Sequence, residues 1–338
     1  MSNRQTQIQF SVFTNSYIER LMISLYQLTK PLECRFYTQG LNDIYIIKTP
    51  KENYYLRLSN YGWRSLEDVK AEIELLNYLS NVKLSIAKPV ADNKGEFIQT
   101  ITAPEGTRYA VLFTEARGVY QQNYTLEQNF ILGKVIAQLH LNTDESNLTT
   151  NRFAINEKHL LTDPLKVIKP YMIHRAKDYD YLYKLSHQLM ELVQKMLPKT
   201  KPCYGICHGD LHNGNIRVDK NNITLFDFDC FGYGWRAYDL AVYLWNQHLN
   251  SRWNKNTDLK EQWNSLISGY SSLRKLSSNE LQAINMFVII REIWFLGLQL
   301  GSLDMNRGCD WLSDGYFDYH INFIGKWVED KLGHIEIL

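Results

Sequence analysis

The chain reads as a two-lobed α+β protein, with an N-terminal antiparallel sheet lobe and a mainly helical C-terminal lobe. Three observations predict this. Up to residue 115, strand patterns surround one strongly amphipathic helix. After Arg117-Gly118 the hydrophobic period becomes that of helices. Only one later stretch, Tyr204 to Asp229, returns to short apolar strands around polar turns. The boundaries that follow are 1–115 for the first lobe, 116–118 for a connecting hinge and 119–338 for the second lobe.

Taken in order, residues 15–29 carry apolar side chains at helical spacing, with Asn15 or Ser16 as N-cap and Pro31 just past the end. The segments CRFYTQGLNDIYIIKT and ENYYLRLS predict three strands, turning first at Gly40-Leu41-Asn42-Asp43 and then over Thr49 to Asn53. Ser65 to Leu79 is an amphipathic helix whose start, Ser65 to Asp68, is a capping-box pattern. Strands at Phe97–Thr102 and Tyr109–Glu115 complete a five-stranded sheet. Helices are expected over Leu126–Asn142, over Lys177–Met196, and through the Trp-rich stretch from Tyr238 onward.

Composition narrows the function. Hydrophobic residues make up 45% of 338 and charged residues 22%, so a disordered chain is excluded. A formal charge of +1 provides no global field for nucleic acid or an anionic membrane, and neither is expected as a partner. Five cysteines make no disulfide framework, the first residues lack a signal-peptide pattern, and Arg291 and Glu292 interrupt the apolar run Met286–Leu300. A soluble, cytoplasmic protein is expected. Oligomeric state is not legible.

The chemistry concentrates in Cys207-His208-Gly209-Asp210-Leu211-His212-Asn213-Gly214-Asn215, followed by Thr224-Leu225-Phe226-Asp227-Phe228-Asp229. Asp210 and Asn215 have the D-x-x-x-x-N spacing of a kinase catalytic loop. A hairpin turning at Lys220-Asn221-Asn222 would return Asp227 to the same end of a two-stranded ribbon. Phosphoryl transfer needs a carboxylate at the incoming hydroxyl and oxygen ligands for Mg²⁺. Asp210 suits the first role, and Asn215 and Asp227 the second. Asp229 is either structural or a second metal ligand.

HGDLHxGN followed by DFD resembles the aminoglycoside phosphotransferase and choline kinase superfamily, which implies a protein-kinase-like fold and ATP with Mg²⁺ as cofactors. The resemblance extends over most of the chain. Arg57 in YYLRL falls where the family carries a phosphate-binding Lys or Arg, and Glu72 where it carries the helix glutamate that pairs with it. Leu132-Gly133 through Leu139-His140 resembles the family's LGxxLAxLH helix, and Asp239 matches the aspartate after the metal motif. Thr114-Glu115-Ala116 falls at the adenine-reading hinge, so the resemblance implies that Glu115 and Ala116 touch the nucleotide. In place of GxGxxG the chain has a short turn containing Gly40 and Asn42, similar to that of the small-molecule kinases. Homoserine-kinase-like and bacterial stress-response kinase branches are also similar, and no motif selects among them.

Simpler readings compete. Cys203, Cys207, His208 and His212 suggest zinc, but C-x-x-x-C-H does not match common zinc spacings. His208 is better explained as fixing the catalytic loop by hydrogen bonding, and His140 as a packed helix residue. Arg57 and Glu72 could form only a surface pair. The Trp-rich tail could be helical core or could wall an acceptor pocket for an amine-bearing substrate, with Trp245, Arg291, Trp294, Asp304, Asp310 and Trp311 as candidates. The expected function is phosphorylation of a hydroxyl on a small molecule (amino alcohol, hydroxy amino acid or aminoglycoside-like) by ATP and Mg²⁺. A Ser/Thr protein kinase of the stress-response type and a non-catalytic nucleotide-binding module are the alternatives.

Overall fold

The structure, a computed structural model, describes residues 8–146, 148, 151–251, 258–303 and 308–333. The chain divides into two compact units, residues 1–117 with 148–151, and residues 118–147 with 152–338.

In the first unit, helix α1 (Asn15–Leu25) precedes strands β1 (Glu33–Gln39), β2 (Asn42–Lys48) and β3 (Asn53–Ser59). Helix α2 (Leu66–Asn81) follows, then β4 (Pro89–Val90), β5 (Ile98–Ala103) and β6 (Gly106–Thr114). The antiparallel sheet has the order β1-β2-β3-β6-β4, with β5 also paired to β6. The two-residue β4 is a sixth strand that the hydrophobic pattern does not reveal, because Pro89 starts it and it is too short to alternate. Asn42 and Asp43, expected in the first turn, instead begin β2. Alternation along β2 sends Asp43, Tyr45 and Ile47 inward. Ile18 and Met22 of α1 pack with Tyr45, Ile47, Leu56 and Leu58 on one sheet face. Val69 and Ile73 of α2 pack with Val111 of β6.

Helix α1 is capped by Thr14, whose hydroxyl accepts from the Tyr17 N–H, rather than by Asn15 or Ser16. It stops at Leu25, four residues short of the apolar periodicity. The Leu25 carbonyl accepts from the Asn93 N–H at 2.9 Å, and Tyr26 turns extended and is buried in the sheet core. Helix α2 carries the expected reciprocal capping box between Ser65 and Asp68.

The second unit is mostly helical. It contains α3 (Leu126–Glu145), α4 (Asp163–Ile168), α5 (Ala176–Met196), strands β7 (Tyr204–Cys207), β8 (Ile216–Asp219), β9 (Asn222–Leu225) and β10 (Gly232–Trp235), then α6 (Ala237–Ser251), α7 (Leu259–Ser271), α8 (Ser278–Gly301) and α9 (Asp314–Trp327). Helices α3 and α7 pack so closely that a Cβ on Gly133 would lie 2.0 Å from the Leu266 carbonyl oxygen. By length and composition α8 could cross a membrane, yet 72% of its most apolar stretch is buried inside the protein, as in the central helix of a folded unit.

Candidate active site

The site grows from the β8–β9 ribbon. Ile216 pairs with Leu225 and Asp219 with Asn222, so the strands begin and end in register. Asn215 precedes Ile216, Asp227 lies two residues beyond Leu225, and both therefore sit at the open end of the ribbon. The Phe226 N–H donates to the Asn215 carbonyl at 3.1 Å and extends the pairing to the edge of the motif. Asn215 Nδ2 donates to the Asp210 backbone carbonyl at 2.9 Å and to Asp210 Oδ2 at 3.1 Å. Its amide nitrogen is thereby committed to the loop, which leaves Oδ1 as the acceptor atom of that side chain.

The loop backbone is tied from beneath by Asp239 at the start of α6. This fully buried carboxylate accepts from the His208 and Gly209 N–H groups, each at 2.8 Å, and from His140 Nε2 at 3.0 Å. Burial pushes the Asp239 carboxyl up, but His140 and the other donors outweigh it and hold it below the usual carboxylate range. His140 is itself brought down to about 4 by burial, against the pull of Asp239. It is neutral at pH 7, donating from Nε2 and accepting at Nδ1 from the Tyr270 hydroxyl at 2.8 Å. Arg274 Nη1 in turn donates to the Tyr270 oxygen at 2.9 Å. Donation thus runs from Arg274 through Tyr270 and His140 to Asp239, which also accepts from the loop N–H groups.

His208 is also lowered by burial, and is neutral. The Asp210 N–H donates to its Nδ1 at 3.3 Å, and its Nε2 donates to the Phe226 carbonyl at 3.1 Å. It therefore joins the loop to the residue before Asp227, the structural role expected for it. Among the described residues no group of three or more His, Cys, Asp or Glu could hold a metal, so the zinc alternative has no ligand set there.

Asp227 has φ 61 and ψ 65, a left-handed conformation costly for a residue with a Cβ. Gly209 faces the same segment at φ +81, and a Cβ there would lie 2.1 Å from the Cys230 carbonyl oxygen. Only glycine lets the loop approach that closely. Asp229 is buried in the following 3₁₀ turn. Arg152 donates from Nη2 to the Asp229 carbonyl and from Nε to the Phe231 carbonyl at 2.8 Å. Nothing in the sequence pattern marks Arg152, whose sequence neighbours do not belong to the motif.

Asp210 is partly exposed, its side chain at 20%. Burial pushes its carboxyl up, but His212 and Arg291 outweigh this and hold it well below the usual carboxylate range. Arg291 Nη2 pairs with Oδ1, and His212 Nε2 lies 3.4 Å from Oδ2. Of the expected acceptor residues, Trp245, Arg291 and Trp294 are brought together and buried. Asp310 is exposed, and Trp311 meets Tyr316 edge-to-face with ring centroids 4.8 Å apart. Asp304 lies outside the described residues.

In the first unit, Arg57 on β3 and Glu72 on α2 form a buried ion pair with bonds of 2.8 and 2.5 Å, not a surface pair. Gly40 lies in the β1–β2 turn, its carbonyl accepting from Asn60 Nδ2 at 2.8 Å, and Asn42 opens β2. Glu115 and Ala116 follow Thr114, the last β6 residue paired with β3. The Glu115 carboxylate accepts from Asn53 Nδ2 at 3.1 Å.

A catalytic-loop spacing held on such a ribbon invites comparison with known proteins. The profile of the phosphotransferase enzyme family matches residues 34–276. The chain belongs to this family. An uncharacterised protein of Synechocystis is 32% identical over 302 residues, covering 88% of this chain and 81% of the relative. Amicoumacin kinase of Bacillus subtilis is 25% identical over 280 residues, covering 81% and 82%. The structure of an amicoumacin kinase in complex with AMP-PNP, Ca²⁺ and Ami superposes with a TM-score of 0.71 at 21% identity, covering 96% of this chain and 95% of that one. The phosphotransferase fold, a sheet-based N-terminal unit followed by a helical one, is therefore shared across nearly the full length.

Proposed function

We propose that this phosphotransferase uses ATP and Mg²⁺ to phosphorylate a hydroxyl group on a small molecule of the amino alcohol, hydroxy amino acid or aminoglycoside-like type, in the cytoplasm. The observation that carries the reading is the joined pair at the end of the ribbon: the Asp210 carboxylate hydrogen-bonded to Asn215, with Asp227 held in a left-handed turn whose neighbour Phe226 is bonded to the same loop. Asp210 accepts a hydrogen bond from the incoming hydroxyl and orients it for attack. Its depressed basicity favours an orienting role, with the proton leaving late, over early proton abstraction.

Asn215 Oδ1 and the Asp227 carboxylate are hard oxygen donors. One carboxylate and one amide oxygen, completed by nucleotide phosphates, suit Mg²⁺ better than an all-protein cage would. The bound ion supplies charge neutralisation across the phosphates. In the first unit, Arg57, held by Glu72, contacts phosphate; the turn at Gly40 and Asn42 covers the nucleotide; and the backbone of Glu115 and Ala116 reads adenine. The family profile and the amicoumacin kinase relative support the small-molecule assignment.

The test is to offer Mg·ATP and a panel of amino alcohols, hydroxy amino acids, aminoglycosides and amicoumacin, with mass spectrometry for a phosphorylated product. One accepted compound supports the reading. Phosphate transfer to a folded protein, with every small hydroxyl compound refused, would replace it with the protein-kinase alternative.

A further inference from the structure

Arg291 reaches the catalytic loop from the middle of α8. Its side chain is 3% exposed, so it is no surface counter-ion. Nη2 pairs with Asp210 Oδ1, while Nη1 lies 3.4 Å from both the Gly209 carbonyl and the Tyr238 hydroxyl. The guanidinium lies over two aromatic rings, 4.3 Å from the centroid of Trp294 and 4.9 Å from that of Trp245. Trp245 is fixed in its turn, since its Nε1 donates to Glu292 Oε2, and Glu292 Oε1 lies 2.6 Å from His320 Nδ1 on α9. Two aromatic faces that could have taken an acceptor's amine are therefore already occupied by a cation of the protein itself.

The other Asp210 oxygen is engaged differently. Oδ2 accepts from Asn215 Nδ2 at 3.1 Å and faces His212 Nε2 at 3.4 Å. Both partners of Oδ2 belong to the loop that carries Asp210, so they move with it. Arg291 is the partner that comes from a separate, buried helix. A planar guanidinium stacked on aromatic rings holds both the position and the direction of a carboxylate, which a flexible ammonium does not.

We propose that Arg291 is a positioning residue for phosphoryl transfer: from a slot lined by Trp245 and Trp294, it fixes the orientation in which Asp210 meets the incoming hydroxyl. The inference rests on the proposed role of Asp210. A misplacement of about 1 Å at a reacting group costs on the order of 10²-fold in rate, so the effect should fall on turnover and not on nucleotide binding.

A double-mutant cycle of Arg291→Met and Asp210→Asn tests it. The activity probe is Mg·ATP with water as acceptor, followed as phosphate release. The second readout is the urea unfolding midpoint of the nucleotide-free proteins. R291M should slow release at least about tenfold, with the KM for ATP within about twofold. Added to D210N it should slow release no further, and the two midpoint shifts should be non-additive. Arg291→Lys should keep the fold and recover only part of the rate. Release by R291M within about twofold of wild type, or a full further loss on the D210N background, overturns the proposal. D210N turning over at the wild-type rate removes the catalytic assignment of Asp210 instead. If the Met variant does not fold, the Lys variant carries the same cycle. If water proves too poor an acceptor, the midpoints decide, and additive shifts overturn the proposal.

Discussion

Mild acid should loosen the catalytic loop through one buried imidazole. His140 is fully buried between Asp239 and Tyr270, and burial holds it down to about 4. In the unfolded chain it titrates near about 6.5. Between these values the unfolded chain binds a proton that the folded protein refuses. The contribution is complete above about pH 6.5 and is lost as pH falls, at up to about 1.4 kcal/mol per pH unit, for a total of about 3 kcal/mol by pH 4. Burial of His208 acts in the same direction. The perturbation is His140→Gln, whose amide can still donate to Asp239 but does not titrate. Urea unfolding would be followed at about pH 7.5, 6 and 5. The variant should be the less stable at pH 7.5, because the bond from Tyr270 is lost, and the gap from wild type should close by about 2 kcal/mol on reaching pH 5. A gap that stays constant within about 0.5 kcal/mol over that range would refute the linkage.

Two further outcomes follow from the ion pair and the metal site. Glu72→Ala leaves Arg57 buried without its counter-charge and should cost about 3–5 kcal/mol in urea unfolding; a loss below about 1 kcal/mol would mean that the pair is solvated in solution. Asp227→Ala removes a charged oxygen from the proposed Mg²⁺ site, so calorimetry should show ATP binding no longer strengthened by Mg²⁺, and an unchanged Mg²⁺ effect would place the ion elsewhere.

Much of this was legible in the sequence because it is local. The capping box at Ser65 and Asp68 is contained in four residues, and the ribbon register follows from a short polar turn between two apolar runs. What escaped is set by distant partners. The length of α1 depends on an N–H from Asn93, which no period in residues 15–29 can report. Arg108 is buried among Asp43, Ser59, Asn60 and Ser11, a network assembled from four segments around one guanidinium. β10 carries no strand signal of its own, because Gly232-Tyr233-Gly234-Trp235 lacks β-branched residues and pairs with β7, many residues earlier. Arg291 is legible in the sequence as a charged interruption of an apolar helix and as a candidate acceptor-pocket residue, not as a partner of Asp210. Its place against Asp210 is a contact across more than eighty residues. Trp245 and Trp294, read from the sequence either as helical core or as pocket walls, are buried against that arginine.

The most direct measurement is the turnover of Asp210→Asn with Mg·ATP and an accepted hydroxyl compound, alongside calorimetric ATP binding. The change is nearly isosteric and leaves the Asn215 contact to the backbone carbonyl in place. Turnover should fall by about 10²–10⁴ while the fold and ATP affinity are kept. Turnover within about threefold of wild type would contradict Asp210 as the residue that meets the hydroxyl.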